Sequence, residues 1–124
     1  MNKKEQTITV LGASPKEERY SNKAVKLLLE HGYNVIPVNP AGLEVCGVQS
    51  VKSLEEIDVD VDVLTMYVNS MRSSAIQDEI IALSPGRIIF NPGSENEQLA
   101  DACRENGIEV EEACTLILLN TGQF

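Results

Sequence analysis

The feature that most constrains the fold is an alternation of strand-like and helix-like segments along all 124 residues. Short apolar runs rich in β-branched residues predict strands at Thr7–Leu11, Asn34–Val38, Asp62–Val68, Arg87–Phe90 and Ile108–Val110. Helical segments separate these runs, which is typical of a parallel sheet with helices on both faces. We therefore predict an α/β, Rossmann-like three-layer sandwich with about five parallel strands in the order 3-2-1-4-5.

The helix boundaries are predicted from capping residues. Ser21 is expected to cap a helix that runs to His31, and Ser70–Leu83 is expected to form the second main helix. Ser94 and Glu97 have the spacing of a capping box, which predicts a third helix. The apolar segment Cys114–Leu119 can be helical or extended on sequence grounds.

Length and composition indicate one domain over residues 1–124, because the chain is long enough for one core and has no linker or repeat. Three widely spaced cysteines (Cys46, Cys103 and Cys114) are typical of reduced thiols. No apolar run approaches the roughly 20 residues that span a bilayer, and no apolar segment precedes the first strand. We expect a cytoplasmic protein without a membrane partner, and leave open a homodimer or a partner enzyme subunit.

The charge is unevenly distributed. The net charge of −9 argues against nucleic-acid binding, which favours a basic face. Residues 1–26 nevertheless carry six Lys or Arg against three Asp or Glu, whereas the rest of the chain carries four against sixteen. Basic side chains are therefore concentrated around the turn that follows the first strand.

That turn has the composition of a phosphate site. The carboxyl ends of parallel strands meet at one edge of the sheet, where ligands bind, and a glycine turn leading into a helix favours anions. The residues that would serve such a site are a glycine, two hydroxyl side chains and three cations: Gly12, Ser14, Ser21, Lys16, Arg19 and Lys23.

The second strand argues against NAD. A dinucleotide site needs three glycines in the first turn and an acidic residue at the end of the second strand. Here the turn has only Gly12, and the strand ends in Asn39 and Pro40. A P-loop is also absent from the sequence. The residues alone therefore favour a phosphate-bearing ligand other than NAD.

Three segments together resemble the small bacterial CoA-binding domain family, which is related to the N-terminal domain of the succinyl-CoA synthetase alpha subunit. They are Gly12-Ala13-Ser14-Pro15, His31–Pro40 and Asp62–Val68. The resemblance covers nearly the whole chain and implies a Rossmann-like fold that binds coenzyme A through its phosphorylated ADP part. One departure is that the synthetase has a glycine-lysine pair after the equivalent proline, where this chain has Ala41-Gly42-Leu43-Glu44.

The resemblance also implies roles for individual residues. It assigns phosphate contacts to Gly12, Ala13, Ser14, Arg19, Ser21 and Lys23. It assigns the border of the adenosine part to Val38, Asn39 and Pro40, and the edge of the third strand to Tyr67 and Val68.

No residue pattern predicts catalysis. His31, the single histidine, is placed at a helix end, and the alternating Asp58, Asp60 and Asp62 are expected to face solvent. We predict a non-catalytic module that binds CoA or an acyl-CoA as a sensor, carrier or regulatory unit. Two alternatives are a subunit of an acyl-CoA-handling enzyme whose partner supplies catalysis, and an NAD(P)-binding or other nucleotide-binding protein.

Overall fold

The structure is a computed structural model that describes residues 6–124. The first five residues, including two of the lysines counted above and the predicted start of the domain, lie outside the described residues. The strands are β1 (Thr7–Leu11), β2 (Asn34–Val38), β3 (Glu44–Val45), β4 (Val48–Gln49), β5 (Val63–Met66), β6 (Arg87–Phe90) and β7 (Glu109–Glu112). The helices are α1 (Tyr20–Glu30), α2 (Ser70–Ala75), α3 (Gln77–Leu83), α4 (Glu97–Glu105) and α5 (Thr115–Asn120), with a 3-10 turn at Leu54–Glu56.

Five strands form the central sheet in the order β2-β1-β5-β6-β7, and every pairing is parallel. The predicted α/β, Rossmann-like class is confirmed. A single parallel bridge joins Val38 to Val51 beyond β2. If Val51 is counted as the third strand position, beside β2, the order follows the 3-2-1-4-5 pattern. In this count β5, which was predicted as the third strand along the chain, is the fourth and lies beside β1.

Alternating side chains of the strands build a core on each face of the sheet. Ile88 and Phe90 pack with α3 and α4 on one face, while Ile89 packs with α1 and α5 on the other. This is the pleat of buried parallel strands, whose two faces are both apolar. The sheet is therefore covered on both sides, and its carboxyl edge is left for a ligand.

The helix ends differ from the sequence predictions at three places. Arg19, not Ser21, occupies the N-cap of α1, and no side chain caps that helix. Asn96, not Ser94, caps α4 by accepting a hydrogen bond from the Leu99 N–H. The helix predicted at Ser70–Leu83 is interrupted at Ile76, which separates α2 from α3.

A small hairpin of β3 and β4 was not predicted. Its two-residue turn is Cys46-Gly47, and both residues have positive φ, 51° and 81°. Such a turn matches the twist of the paired strands and normally requires residues that tolerate a left-handed backbone. The hairpin returns the chain toward the end of β2, and this return positions one side of the candidate site.

The segment that the sequence left open is helical and packs on the core. Leu118 and Leu119 of α5 are buried, and the Phe124 ring meets the Tyr33 ring edge-on at 5.3 Å. Within residues 6–124, no helix has the length and apolar character needed to cross a bilayer, and no cluster of three His, Cys, Asp or Glu could hold a metal ion.

Candidate functional site

The turn after β1 depends on a glycine at its first position. Gly12 has φ +88°, and a Cβ there would lie 2.8 Å from the Tyr67 carbonyl oxygen and 2.9 Å from Val68 Cγ1. The backbone N–H groups of Gly12 and Ala13 both donate to the Val38 carbonyl, at 3.2 and 3.1 Å. These two amides therefore anchor the turn to β2 and are already used within the protein.

Unpaired amides occur further along, at the start of α1. The backbone N–H groups of Tyr20, Ser21 and Asn22 have no acceptor within the described part of the chain, and the first turn holds no acidic residue. The first N–H groups of a helix carry partial positive charge and attract anions. The start of α1 is thus a polar part of the candidate site.

The first of three adjoining clefts, the α1 cleft, lies at this helix start. It has a volume of about 380 Å³. It is lined by Gly12, Ser14, Lys16, Arg19, Tyr20, Ser21, Tyr67 and Arg72. Its three cations and open amides favour phosphate within a chain of net charge −9.

The second cleft, the β2 slot, continues from the first and shares Gly12 and Arg72 with it. It has a volume of about 150 Å³ and mainly apolar walls. It is lined by Leu11, Gly12, Val38, Pro40, Lys52, Ser53, Leu54, Val68, Arg72, Ile76 and Glu79. Apolar walls with a few polar groups are the composition typical of small-molecule sites.

Lys52 supplies a cation beside the segment that lacks the lysine of the related synthetase. A Cβ on Gly42 would lie 3.1 Å from Lys52 Cε, so the lysine side chain covers this glycine. Lys52 reaches this place because the β3–β4 hairpin turns the chain back.

The third cleft, the α5 cleft, adjoins the α1 cleft and shares Tyr20 and Tyr67 with it. It has a volume of about 450 Å³. It is lined by Tyr20, Tyr67, Asn91, Pro92, Cys114, Leu116 and Ile117. Ile117 remains 60% exposed, so the mouth of this cleft is apolar and open.

A buried hydrogen-bond network supports the α5 cleft. Asn91 Nδ2 donates to Thr65 Oγ1 at 2.7 Å and to the Met66 carbonyl at 2.9 Å, and Asn91 Oδ1 accepts from the Thr115 N–H at 2.8 Å. Thr65 Oγ1 and Thr115 Oγ1 are 2.8 Å apart. The network therefore ties α5 to the ends of β5 and β6.

Tyr67 lines both the α1 cleft and the α5 cleft. Burial raises the pKa of the Tyr67 hydroxyl to about 12, although hydrogen bonding with Thr115 and Thr65 acts in the other direction. The side chain is thus a neutral phenol at physiological pH, able to donate and accept a hydrogen bond.

The structure brings together most of the residues predicted from the sequence. Six line the α1 cleft (Gly12, Ser14, Lys16, Arg19, Ser21 and Tyr67), and Val38, Pro40 and Val68 line the β2 slot.

Three predicted residues line neither of these clefts. Ala13 is buried. Asn39 donates from Nδ2 to the Ala13 carbonyl at 2.9 Å and accepts from the Ala41 N–H, so it joins the two loops. Lys23 lies over the Tyr20 ring, with Nζ 5.4 Å from the ring centroid, and lines a separate neighbouring cleft.

Eight residues that line these two clefts were not predicted from the sequence, and four of the eight carry a charge or an aromatic ring: Tyr20, Lys52, Arg72 and Glu79. Arg72 had a sequence signal, because it lies in the first turn of the helix that follows a predicted strand end. For Lys52 the signal was Gly47 alone, because glycine is favoured in two-residue hairpin turns, whereas Cys46 is not a residue typical of its position there. Nothing in the sequence around Glu79 distinguishes it from the exposed Asp78 beside it.

None of the three cysteines is in a disulfide. Burial raises the pKa of the Cys46 and Cys103 thiols, with the cations Lys26 and Arg104, respectively, acting in the opposite direction. Both cysteines thus favour the less nucleophilic thiol form.

Comparisons with known proteins agree with this fold. The uncharacterized protein YneT of Bacillus subtilis (strain 168) is 31% identical over 100 residues, which are 81% of this chain and 74% of YneT. A crystal structure of an uncharacterized protein matches with a TM-score of 0.90 at 38% identity, over 96% of this chain and 98% of that chain.

A more distant structure matches in fold alone. The dinucleotide forming acetyl-coenzyme A synthetase 1 of Ca. Korarchaeum cryptofilum, in complex with phosphate and ADP, has a TM-score of 0.72 at 22% identity. The match covers 86% of this chain and 25% of the synthetase chain.

The family model described as a CoA binding domain matches residues 6–120, which include every residue that lines the three clefts. This match extends over most of the chain, and the chain therefore belongs to the CoA-binding domain family.

Proposed function

We propose that this protein binds coenzyme A or an acyl-CoA as a non-catalytic sensor, carrier or regulatory module. The observation that carries the proposal is the continuity of the three clefts, since Gly12 and Arg72 join the β2 slot to the α1 cleft, and Tyr20 and Tyr67 join the α1 cleft to the α5 cleft. CoA has the same sequence of parts: a base, a group of phosphates and a long arm.

The phosphates would occupy the α1 cleft. Its open amides, the Ser14 and Ser21 side chains, and the cations Lys16, Arg19 and Arg72 form a donor set suited to phosphate. In this proposal Ser14 and Ser21 contact the diphosphate, while Gly12 allows its close approach. Ala13 and Asn39 act by positioning the loops, because their polar groups pair within the protein.

The adenine ring would occupy the β2 slot between Val38, Pro40 and Val68. Lys52 and Arg72 lie at this slot, and we assign them to the 3′-phosphate, which distinguishes CoA from other adenine nucleotides. Lys52 would thereby replace the lysine that is missing after Pro40.

The pantetheine arm would extend into the α5 cleft. Most of its lining is apolar, and the amide of Asn91 is occupied by the buried network. Cys114 lies in this cleft, but we propose no covalent step there.

A binding role fits the side chains better than a bond-making one. His31 follows the last residue of α1, which places it roughly 16 Å from the helix start at a rise of 1.5 Å per residue. The α1 cleft holds hydroxyls, a phenol and cations that suit recognition of phosphate.

The proposal is tested by thermal unfolding with CoA, dephospho-CoA, acetyl-CoA, NAD and ATP. A ligand at a hundredfold excess over its Kd adds about 2.7 kcal/mol to the free energy of unfolding. We expect the largest shift with CoA or acetyl-CoA and a smaller one with dephospho-CoA. A shift with NAD but none with CoA would contradict the proposal and favour the dinucleotide alternative.

Two variants test which cations contact the 3′-phosphate and which contact the diphosphate. Lys52→Gln should reduce the difference between CoA and dephospho-CoA, whereas Arg19→Ala should weaken both ligands together. Arg104→Ala is the matched control, because Arg104 lies on α4 and pairs with Asp101 away from the clefts. Turnover of an acyl-CoA by the purified chain would instead support an enzymatic role.

A further inference from the structure

Two large apolar side chains are exposed together at the α5 cleft. Tyr20 is 69% exposed and Ile117 is 60% exposed, and both line this cleft, where Leu116 adds a partly buried apolar wall. Apolar side chains scattered singly over a surface need no explanation, but apolar surface gathered at a cleft is typical of a ligand site. A group bound in the α5 cleft would therefore remove apolar surface from water.

The polar side chains of this cleft are paired within the protein. The Asn91 amide is used at both ends, because Nδ2 donates to Thr65 and Oδ1 accepts from the Thr115 N–H. The Tyr67 hydroxyl also hydrogen-bonds with Thr115 and Thr65, and burial keeps its pKa high. These two side chains thus serve the buried network and have little left to offer a charged ligand.

Charge distinguishes the α5 cleft from the other two clefts. The α1 cleft is lined by Lys16, Arg19 and Arg72, and the β2 slot by Lys52, Arg72 and Glu79. Among the residues that the structure describes, no Lys, Arg, His, Asp or Glu lines the α5 cleft. A carboxylate that entered it would lose hydration without gaining a cationic partner, whereas an apolar group would gain from leaving water.

We propose that the α5 cleft binds the acyl group of an acyl-CoA and selects an uncharged alkyl chain over an acyl group that ends in a carboxylate. This inference rests on the proposed function, which places the pantetheine arm in the same cleft, because the acyl group is attached to the end of that arm. Leu116 and Ile117 line the α5 cleft and neither of the other two, and they contact the alkyl chain. The family membership does not give this class of acyl group.

The test compares butyryl-CoA with succinyl-CoA, because both acyl groups have four carbons and only the succinyl group ends in a carboxylate. In isothermal titration of the purified full chain, butyryl-CoA should bind roughly tenfold more tightly than CoA, since its alkyl chain is partly buried. Succinyl-CoA should bind at least roughly tenfold more weakly than butyryl-CoA, because its carboxylate has no cation to meet in the cleft.

Ile117→Lys supplies the missing cation. Position 117 is exposed on α5, and lysine is favourable in helices, so the variant should fold. Its ammonium group can pair with the succinyl carboxylate, and the preference for butyryl-CoA over succinyl-CoA should fall to within about twofold. An unchanged preference in Ile117→Lys would remove the acyl group from this cleft and overturn the inference.

Val59→Lys is the matched control. It adds the same charge at another exposed apolar side chain, which is 52% exposed and lines none of the three clefts. This variant should keep the wild-type preference for butyryl-CoA. A loss of preference in Val59→Lys equal to that in Ile117→Lys would attribute the effect to net charge and overturn the inference.

The remaining outcomes separate this inference from the proposed function. If the wild-type chain binds CoA, butyryl-CoA and succinyl-CoA equally, the role of the α5 cleft is overturned and CoA binding stays intact. If the wild-type chain binds neither CoA nor butyryl-CoA, the proposed function is overturned, and the inference falls with it.

Discussion

Asn91 and the first turn of α1 lie near the same edge of the sheet, but the polar groups of Asn91 are paired within the protein and those of the helix start are not. Asn91 is buried, and both ends of its amide are used: Nδ2 donates to Thr65 and Met66, and Oδ1 accepts from Thr115. At the start of α1, the N–H groups of Tyr20 through Asn22 have no protein acceptor among the described residues.

This contrast suggests that Asn91 serves the stability of the fold, whereas the start of α1 is available to a ligand. A fully paired buried network fixes its elements in place and has little left to offer a ligand. Open amides beside Arg19 and Arg72 cost little while water reaches them, and they can pair with an anion. We therefore expect changes at Asn91 to act mainly on stability and changes around α1 to act mainly on CoA affinity.

Gly12→Ala should have the largest effect, because Gly12 serves both stability and binding. The left-handed φ costs an alanine about 1–2 kcal/mol, and overlap with the Tyr67 carbonyl should raise the loss of unfolding free energy to about 3–5 kcal/mol. Urea denaturation measures the loss of unfolding free energy. The molecules that remain folded should bind CoA more weakly than the wild type.

Gly93→Ala is the control for Gly12→Ala. Gly93 has φ +93°, and a Cβ there would meet no atom within 4 Å. It should lose only about 1–2 kcal/mol, the cost of the left-handed backbone. Equal losses at the two positions would show that the close approach at Gly12 has no energetic role.

Asn91→Ala should destabilise the fold by about 3 kcal/mol, because the buried Thr115 N–H loses its acceptor and Thr65 loses a donor. Urea denaturation measures this loss. The control Asn106→Ala, which removes one hydrogen bond of an exposed side chain, should cost less than about 1 kcal/mol. An Asn91→Ala protein that keeps its stability but no longer binds CoA would reverse the roles assigned to the two regions.

Tyr67 lines both the α1 cleft and the α5 cleft. The titration of its hydroxyl tests whether the side chain is buried, as the paired network around Asn91 is. A pKa of about 12 in the folded state exceeds the ordinary value near 10, so the neutral phenol is favoured by folding. Below pH 10 the phenol is neutral in both states. Between pH 10 and 12 the unfolded chain ionises first, so the folded state should lose on the order of 2 kcal/mol of stability.

In Tyr67→Phe this part of the pH dependence should disappear. Denaturant midpoints for the wild type and the variant, measured between pH 8 and pH 12, give the comparison. The difference between the two proteins should be constant up to about pH 10 and should change above it. Parallel profiles over the whole range would contradict the burial assigned to the phenol.

The alternation of elements and most residues of the α1 cleft were predictable, because both depend on local signals. Strand composition identified all five strands of the central sheet, and the carboxyl ends of parallel strands share one edge. The glycine and hydroxyl residues after β1 were therefore predicted to meet at that edge, and they line the α1 cleft. The interruption at Ile76 and the cap at Asn96 were missed because tertiary contacts decide them: Asn96 also donates to Ser73 and Ser74.

The β2 slot was only partly predictable, because its charged residues come from separate parts of the chain. Lys52 is returned to the slot by the β3–β4 hairpin, and Glu79 reaches it from α3. The amides of Gly12 and Ala13 were expected to meet phosphate, but pairing with the Val38 carbonyl is a long-range contact that the sequence does not specify.

Arg72→Gln should have the smallest effect on stability and a clear effect on binding. Arg72 is exposed and forms no ion pair within residues 6–124, so the unfolding free energy should change by less than about 0.5 kcal/mol. Because Arg72 lines both the α1 cleft and the β2 slot, CoA affinity should fall by roughly tenfold, equivalent to about 1.4 kcal/mol. Titration at two salt concentrations should show a weaker salt dependence in Arg72→Gln than in the wild type, since one screened attraction has been removed. Arg104→Gln changes the same charge far from the clefts, and an equal loss of CoA affinity there would attribute the effect to net charge and remove Arg72 from the site.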